Sequence, residues 1–171
     1  LPFHRPSART PAPARLDFDV RPRLVFWEAT RACPLSCRHC RAAAIPSPLP
    51  GELGHDEARS LLEAVASFGE PRPIIIVTGG DPLQRVDLPE LVGHASALGL
   101  RIAVAPAVTP SLTAEALTAL RERGVTTVSI SLDGGSAETH ERVRQAEGHF
   151  QATLAALRLA QRCGLQVQVN T

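Results

Sequence analysis

The chain has 171 residues, 18 Lys+Arg against 17 Asp+Glu, and 4% aromatic residues. That length fits one domain with a real core, and the charge balance excludes a bulk electrostatic footprint for nucleic acid. No apolar run approaches the ~20 residues of a membrane-spanning helix, and the N-terminal stretch lacks the apolar centre of a secretory signal.

Residues 1–22 carry Pro2, Pro6, Pro11, Pro13 and Pro22 without periodicity, which predicts a solvated arm rather than a packed element. A core domain is expected over 23–171. Leu24-Val25-Phe26-Trp27 is strand-like, with Glu28 and Thr30 alternating with Val25 and Trp27 and so expected to face an interior. The Pro-rich run Ile45 to Pro50 breaks structure. Asp56 to Phe68 has Ala58, Leu61, Leu62 and Val65 at helical spacing and ends at Gly69. Ile74 to Val77 is a wholly apolar strand, followed by a Gly79-Gly80 turn. Leu88 to Leu98 reads as a helix stopped by Gly99, and Arg101 to Ala105 as a strand. Thr113 caps a helix running to Arg123 before Gly124. Val125 to Leu132 is a strand, Phe150 to Cys163 a helix closed by Gly164, and Leu165 to Asn170 a strand.

Strands alternating with helices over short connections mean βα units and a parallel sheet, an α/β fold. In the last two strands, Val128, Ile130 and Leu132 alternate with Ser129, Ser131 and Asp133, and Leu165, Val167 and Val169 with Gln166, Gln168 and Asn170. A central strand of a doubly wound sheet is apolar on both faces. One apolar and one polar face predicts a partial parallel (β/α) barrel with a wet interior; solvated edge strands are the alternative. The sequence has no Met, and it stops in a strand with no covering element after it. The expectation is therefore the N-terminal part of a longer protein.

Cys33, Cys37 and Cys40 form C-x-x-x-C-x-x-C directly after the first strand, where barrel active sites are built. Three of four Cys clustered on one loop suit metal ligation in a reducing compartment, hence the cytoplasm, better than a disulfide framework. Three thiolates wrap one metal centre without completing four-fold coordination, so a [4Fe–4S] cube held this way keeps one iron without a protein ligand. The alternatives are a structural zinc with His39 as fourth ligand, and an electron-transfer cluster with a fourth protein ligand. Cys163 is expected to be a buried apolar residue rather than that ligand.

The run Ala29-Thr30-Arg31-Ala32-Cys33-Pro34-Leu35-Ser36-Cys37-Arg38-His39-Cys40 resembles the signature of the radical S-adenosylmethionine (SAM) superfamily. The resemblance implies that the three Cys hold a [4Fe–4S] cluster whose unique iron chelates the amino and carboxylate groups of SAM. One electron then cleaves SAM to a 5′-deoxyadenosyl radical that takes a hydrogen atom from substrate. The cofactor carries this chemistry, and no side chain is assigned a catalytic role. His39 stands where the family usually has an aromatic residue, packing near cluster and adenine.

Thr78-Gly79-Gly80-Asp81-Pro82 resembles the family's Gly-Gly-Glu-Pro motif, whose backbone and acidic side chain accept from the SAM amino group. Asp81 is shorter than the commoner Glu, which shifts weight to backbone acceptors at Gly79 and Gly80. By the same resemblance Ser131 contacts the ribose or methionine part of SAM, Asp133 organises its loop, Arg144 pairs with the SAM carboxylate and Asn170 reaches SAM. The stretch from Trp27 to Ala43 most resembles enzymes of alternative-haem biosynthesis and peptide maturation, many of which carry a C-terminal SPASM-type extension. That implies a peptide or tetrapyrrole-like substrate and an electron donor such as a flavodoxin or ferredoxin. His4, His55, His94 and His149 are expected in surface or satisfied-core roles.

Overall fold

The computed structural model describes residues 17–171, so most of the expected arm lies outside the described residues. Five strands follow: β1 (Leu24–Thr30), β2 (Ile74–Gly79), β3 (Arg101–Val104), β4 (Val125–Ser131) and β5 (Gln166–Asn170). The helices are α1 (His55–Ala66), α2 (Leu88–Ala97), α3 (Ala114–Glu122), α4 (Ala137–Arg144) and α5 (His149–Arg162), with a 3₁₀ turn at Pro82–Gln84.

All pairings are parallel, and the sheet order is β1-β2-β3-β4-β5. Every crossover steps the same way, so right-handed connections place the helices on one face and leave the other as a concave wall. A doubly wound sheet would reverse its order at a switch point; this one does not, which is the winding of a barrel arc. It also excludes the edge-strand reading for β4, which is paired on both sides.

The alternation read from the sequence is the two-faced wall. Trp27, Ala29, Ile75, Val77, Ile102, Val104, Val128 and Ile130 are buried toward the helices. Against them pack Leu62, Leu88, Leu91, Leu117 and Leu120, each at most 1% exposed. The opposite face carries Leu24, Phe26, Ile76, Thr78, Ala103, Thr127, Ser129 and Gln168 along one open cavity. Thr30 does not open onto that cavity: it is buried, and its hydroxyl accepts from Ala32 N–H at 3.0 Å.

Local signals act where the sequence placed them. The Thr113 hydroxyl accepts from Ala116 N–H at 3.2 Å and caps α3, and Gly69, Gly99, Gly124 and Gly164 follow α1, α2, α3 and α5 with positive φ. One element was not read: α4. Ser136 caps it through Thr139 N–H, and it ends on Gln145 in the left-handed region. Cys163 is part-buried against the core, with its thiol toward the Ala114 carbonyl, as expected of an apolar side chain.

Candidate active site

The loop that leaves β1 is built from the backbone outward. Cys33 N–H donates to Ile45 O at 2.8 Å and Ile45 N–H to Arg31 O at 2.9 Å, closing residues 31–45 into a loop stitched by one parallel bridge. Glu52 clamps its far side, one carboxylate oxygen accepting from Arg31 N–H and from Leu49 N–H, both at 2.8 Å. Cys33, Cys37 and Cys40 all line one pocket of about 220 Å³ at the carboxyl ends of the strands.

Each sulfur has an N–H donor: Leu35 N at 3.5 Å from Cys33 Sγ, Arg144 Nη1 at 3.6 Å from Cys37 Sγ, and Ala44 N at 3.3 Å from Cys40 Sγ. Burial pushes the Cys33 thiol up from its ordinary value, the Leu35 N–H opposing. Among the described residues no three His, Cys, Asp or Glu side chains are gathered as a ready metal-ion site. The donor set still fits an iron–sulfur group: three thiols open on one pocket, each with an N–H to share the charge of a bound thiolate.

The Gly79–Gly80 end of β2 lies against this loop. Gly80 N–H donates to Thr30 O and Asp81 N–H to Ala32 O, both at 2.7 Å. A Cβ on Gly80 would meet Ala32 O at 2.5 Å and Arg31 O at 2.7 Å, and one on Gly79, at φ +126°, would meet Thr30 O at 2.3 Å. The glycines therefore let the cysteine loop sit directly on the strand end, and both line the pocket.

Asp81 does not reach the pocket. It is fully buried, and its carboxylate accepts from Leu83 N–H at 3.2 Å, Gln84 Nε2 at 3.2 Å, Ala107 N–H at 3.3 Å and the Thr109 hydroxyl at 2.8 Å. It ties the β2 turn to the β3–α3 loop instead. Ser131, Arg144, Asn170 and His39 do line the pocket.

Asp133 organises that rim. Its Oδ1 lies 3.2 Å from His39 Nε2, and its Oδ2 accepts from Arg144 Nε at 2.6 Å. These bonds, with Arg38 N–H to Val143 O at 2.9 Å, dock the cysteine loop on the end of α4. Behind them runs a relay that the sequence did not reveal. Asp133 N–H donates to His140 Nδ1 at 3.0 Å, His140 Nε2 stands 2.9 Å from His149 Nδ1, and His149 Nε2 stands 3.1 Å from Val108 O. An accepting Nδ1 fixes the proton on Nε2 in each neutral ring, so the relay is satisfied with both imidazoles uncharged. Burial, reinforced by Arg144 and, for His149, by the neighbouring His140, pushes both below the ordinary histidine value. His149 is thus a satisfied core histidine, while His55 pairs with Asp87 and His94 with Glu63; His4 lies outside the described residues.

A second unread tie is Arg85. It donates to both carboxylate oxygens of Asp87, at 3.0 and 2.8 Å, and to Ala29 O and Leu53 O, while stacking 5.4 Å from the Trp27 ring. It thereby joins the end of β1 to both flanks of the cysteine loop. Partners 32 and 56 residues away leave no local trace in the sequence.

A singly wound parallel arc with three thiols at the exit of its first strand defines a class, and the comparisons agree. The family model for the radical SAM superfamily matches residues 27–171, and the chain belongs to that superfamily. Its members use a [4Fe–4S] cluster and SAM. The chain is similar to the AdoMet-dependent heme synthase of Oleidesulfovibrio alaskensis, 44% identical over 149 residues covering 87% of this chain and 38% of the relative. It is also similar to the PqqA peptide cyclase of Rhodopseudomonas palustris, 32% identical over 149 residues covering 87% of this chain and 39% of the relative. The solved structure of methylornithine synthase (PylB) shares the fold, with a TM-score of 0.70 at 21% identity over 89% of this chain and 45% of that one. The chain spans about two fifths of the length of the curated relatives it matches.

Proposed function

We propose that residues 23–171, preceded by an arm at 1–22, are the SAM-cleaving core of an enzyme that takes a hydrogen atom from a tetrapyrrole-like or peptide substrate. One observation carries the reading: Cys33, Cys37, Cys40, the Gly79–Gly80 strand end, Ser131, Arg144 and Asn170 open on a single pocket. In this reading Cys33, Cys37 and Cys40 ligate a [4Fe–4S] cluster and leave one position for SAM. When bound and reduced, the pair supplies one-electron chemistry that generates a radical able to abstract hydrogen.

The protein's part is holding. Arg144, with two of its N–H groups engaged by Asp133 and Cys37, has others left for the SAM carboxylate. Backbone acceptors at Gly79 and Gly80 take the amino group, since the Asp81 carboxylate is fully occupied elsewhere. Ser131 and Asn170 hold the ribose or methionine part, and His39, tied to Asp133, packs beside it. The reading includes a cytoplasmic location, a flavodoxin- or ferredoxin-type electron donor, and no nucleic acid or membrane as partner. Among the described residues no helix is long and apolar enough to cross a membrane.

The test is anaerobic reconstitution of the full-length protein with iron and sulfide, then dithionite and SAM, with 5′-deoxyadenosine measured by chromatography. Its formation, lost in Cys33→Ala, Cys37→Ala and Cys40→Ala, is the expected result. A cluster whose EPR signal ignores SAM, or a colourless zinc-loaded protein, overturns the reading.

A further inference from the structure

Arg41 stands apart from the other cations of the site by its position. It follows Cys40 directly and lines both the cysteine pocket and the cavity along the concave face of the sheet. Those two spaces share Arg41, Thr78, Ala105, Ser129 and Asn170, so they adjoin, with Arg41 at their common border. Among the described residues, the basic side chains on their walls are His39, Arg41 and Arg144, and no carboxylate lines them. Arg144 and His39 are held by Asp133. Arg41 has one ion-pair partner among the described residues, Glu28, at 2.9 Å, with side chains 74% and 41% exposed.

Part of the wall that Arg41 shares is apolar. Leu24, Phe26, Ile74, Ile76 and Ala103 form a floor that offers no side-chain hydrogen bonds, and Phe26 is 60% exposed on it. Thr78, Thr127, Ser129, Gln168 and Asn170 line the rest of the cavity, so a ligand with a flat apolar body and a polar, carboxylate-bearing edge meets both parts of the lining. An exposed ion pair contributes little and exchanges readily. Once an apolar body covers the floor and expels water, a carboxylate on Arg41 is held much more strongly, and bidentately.

We propose that Arg41 anchors a substrate carboxylate, the propionate of a tetrapyrrole, by exchanging it for Glu28. This rests on the radical SAM reading above and narrows its substrate class. A carboxylate paired there places the carbons of its own side chain at the junction with the SAM pocket, where hydrogen abstraction has to occur.

The test is a ligand-by-residue comparison on the full-length, cluster-loaded enzyme. The probes are a porphyrin with four propionates and its tetra-amide, with dissociation constants read by porphyrin fluorescence. Wild type is expected to prefer the acid by ~10-fold or more, as expected for a desolvated charge pair. Arg41→Gln brings the acid-to-amide ratio near one, Arg41→Lys restores it in part, and Glu28→Gln tightens the acid but not the amide. The ratio is internal to each variant, so a partial loss of folded or loaded protein cancels. A ratio unmoved by both Arg41→Gln and Glu28→Gln overturns the proposal. So does failure of either porphyrin to bind wild type, which removes the tetrapyrrole class even where 5′-deoxyadenosine forms. Absence of 5′-deoxyadenosine with an intact acid preference sinks the radical SAM reading alone.

Discussion

Gly80 shows how little room single positions have. The atoms that an added methyl would strike are the carbonyls of Arg31 and Ala32, main chain that cannot swing aside. Gly80→Ala is therefore expected to push the cysteine loop off β2, lowering stability by ~1–3 kcal/mol and cutting iron uptake on reconstitution, both measurable on one preparation. At His140 and His149 the argument is about protons. Their folded-state values lie below the ordinary 6.5 because burial disfavours the cation, so the unfolded chain binds protons that the native relay refuses. Stability from this source is complete above 6.5 and declines as pH falls through that value. The urea midpoint is expected to drop between pH 7.5 and 5.5, and to drop less in His149→Leu.

Among the elements, the strands and four of the helices were legible because their information is local: apolar periods, the Thr113 cap, glycines at the helix ends. Helix α4 was not, since Val143 is nearly its only large apolar residue, its stop is Gln145 rather than glycine, and its hold on the fold comes through Asp133 and the cysteine loop. The same limit explains Asp81. Its place after a buried strand marks it as important, but nothing in the sequence tells whether its carboxylate points at a ligand or back into a loop. Arg85 is the tie between elements most exposed to a test. Arg85→Lys keeps the charge but loses the fork that grips Asp87, Ala29 and Leu53 together. A loss of ~2–3 kcal/mol is expected by chemical denaturation, consistent with breaking a largely buried pair. In the wild type that pair holds the Asp87 carboxyl below its usual range despite burial, so its contribution is present above the ordinary carboxylate value and is lost as pH falls further.

At the scale of the molecule, the sheet has an inside and an outside that composition alone does not separate. Phe26 and Trp27 are adjacent aromatics, one 60% and the other 7% exposed. Trp27→Ala is expected to cost ~3–5 kcal/mol, while Phe26→Ser changes stability by no more than ~0.5 kcal/mol, a contrast that thermal unfolding of the two variants measures. Reversal of that order would mean the helices cover the other face. The alternation in β4 and β5 carried this two-sidedness in the sequence; β2, apolar throughout, hid it, because Ile74 and Ile76 form the half-buried cavity floor rather than core.

The partnership of Cys37 with Arg144 spans 107 positions of the chain. A ribosome working at about 5–20 residues per second releases Cys37 on the order of 5–20 s before the guanidinium that donates to it. During that interval the landing surface for the loop's docking, the end of α4 with Asp133, has yet to be translated. The cysteine loop therefore takes its final place late in the synthesis of the polypeptide.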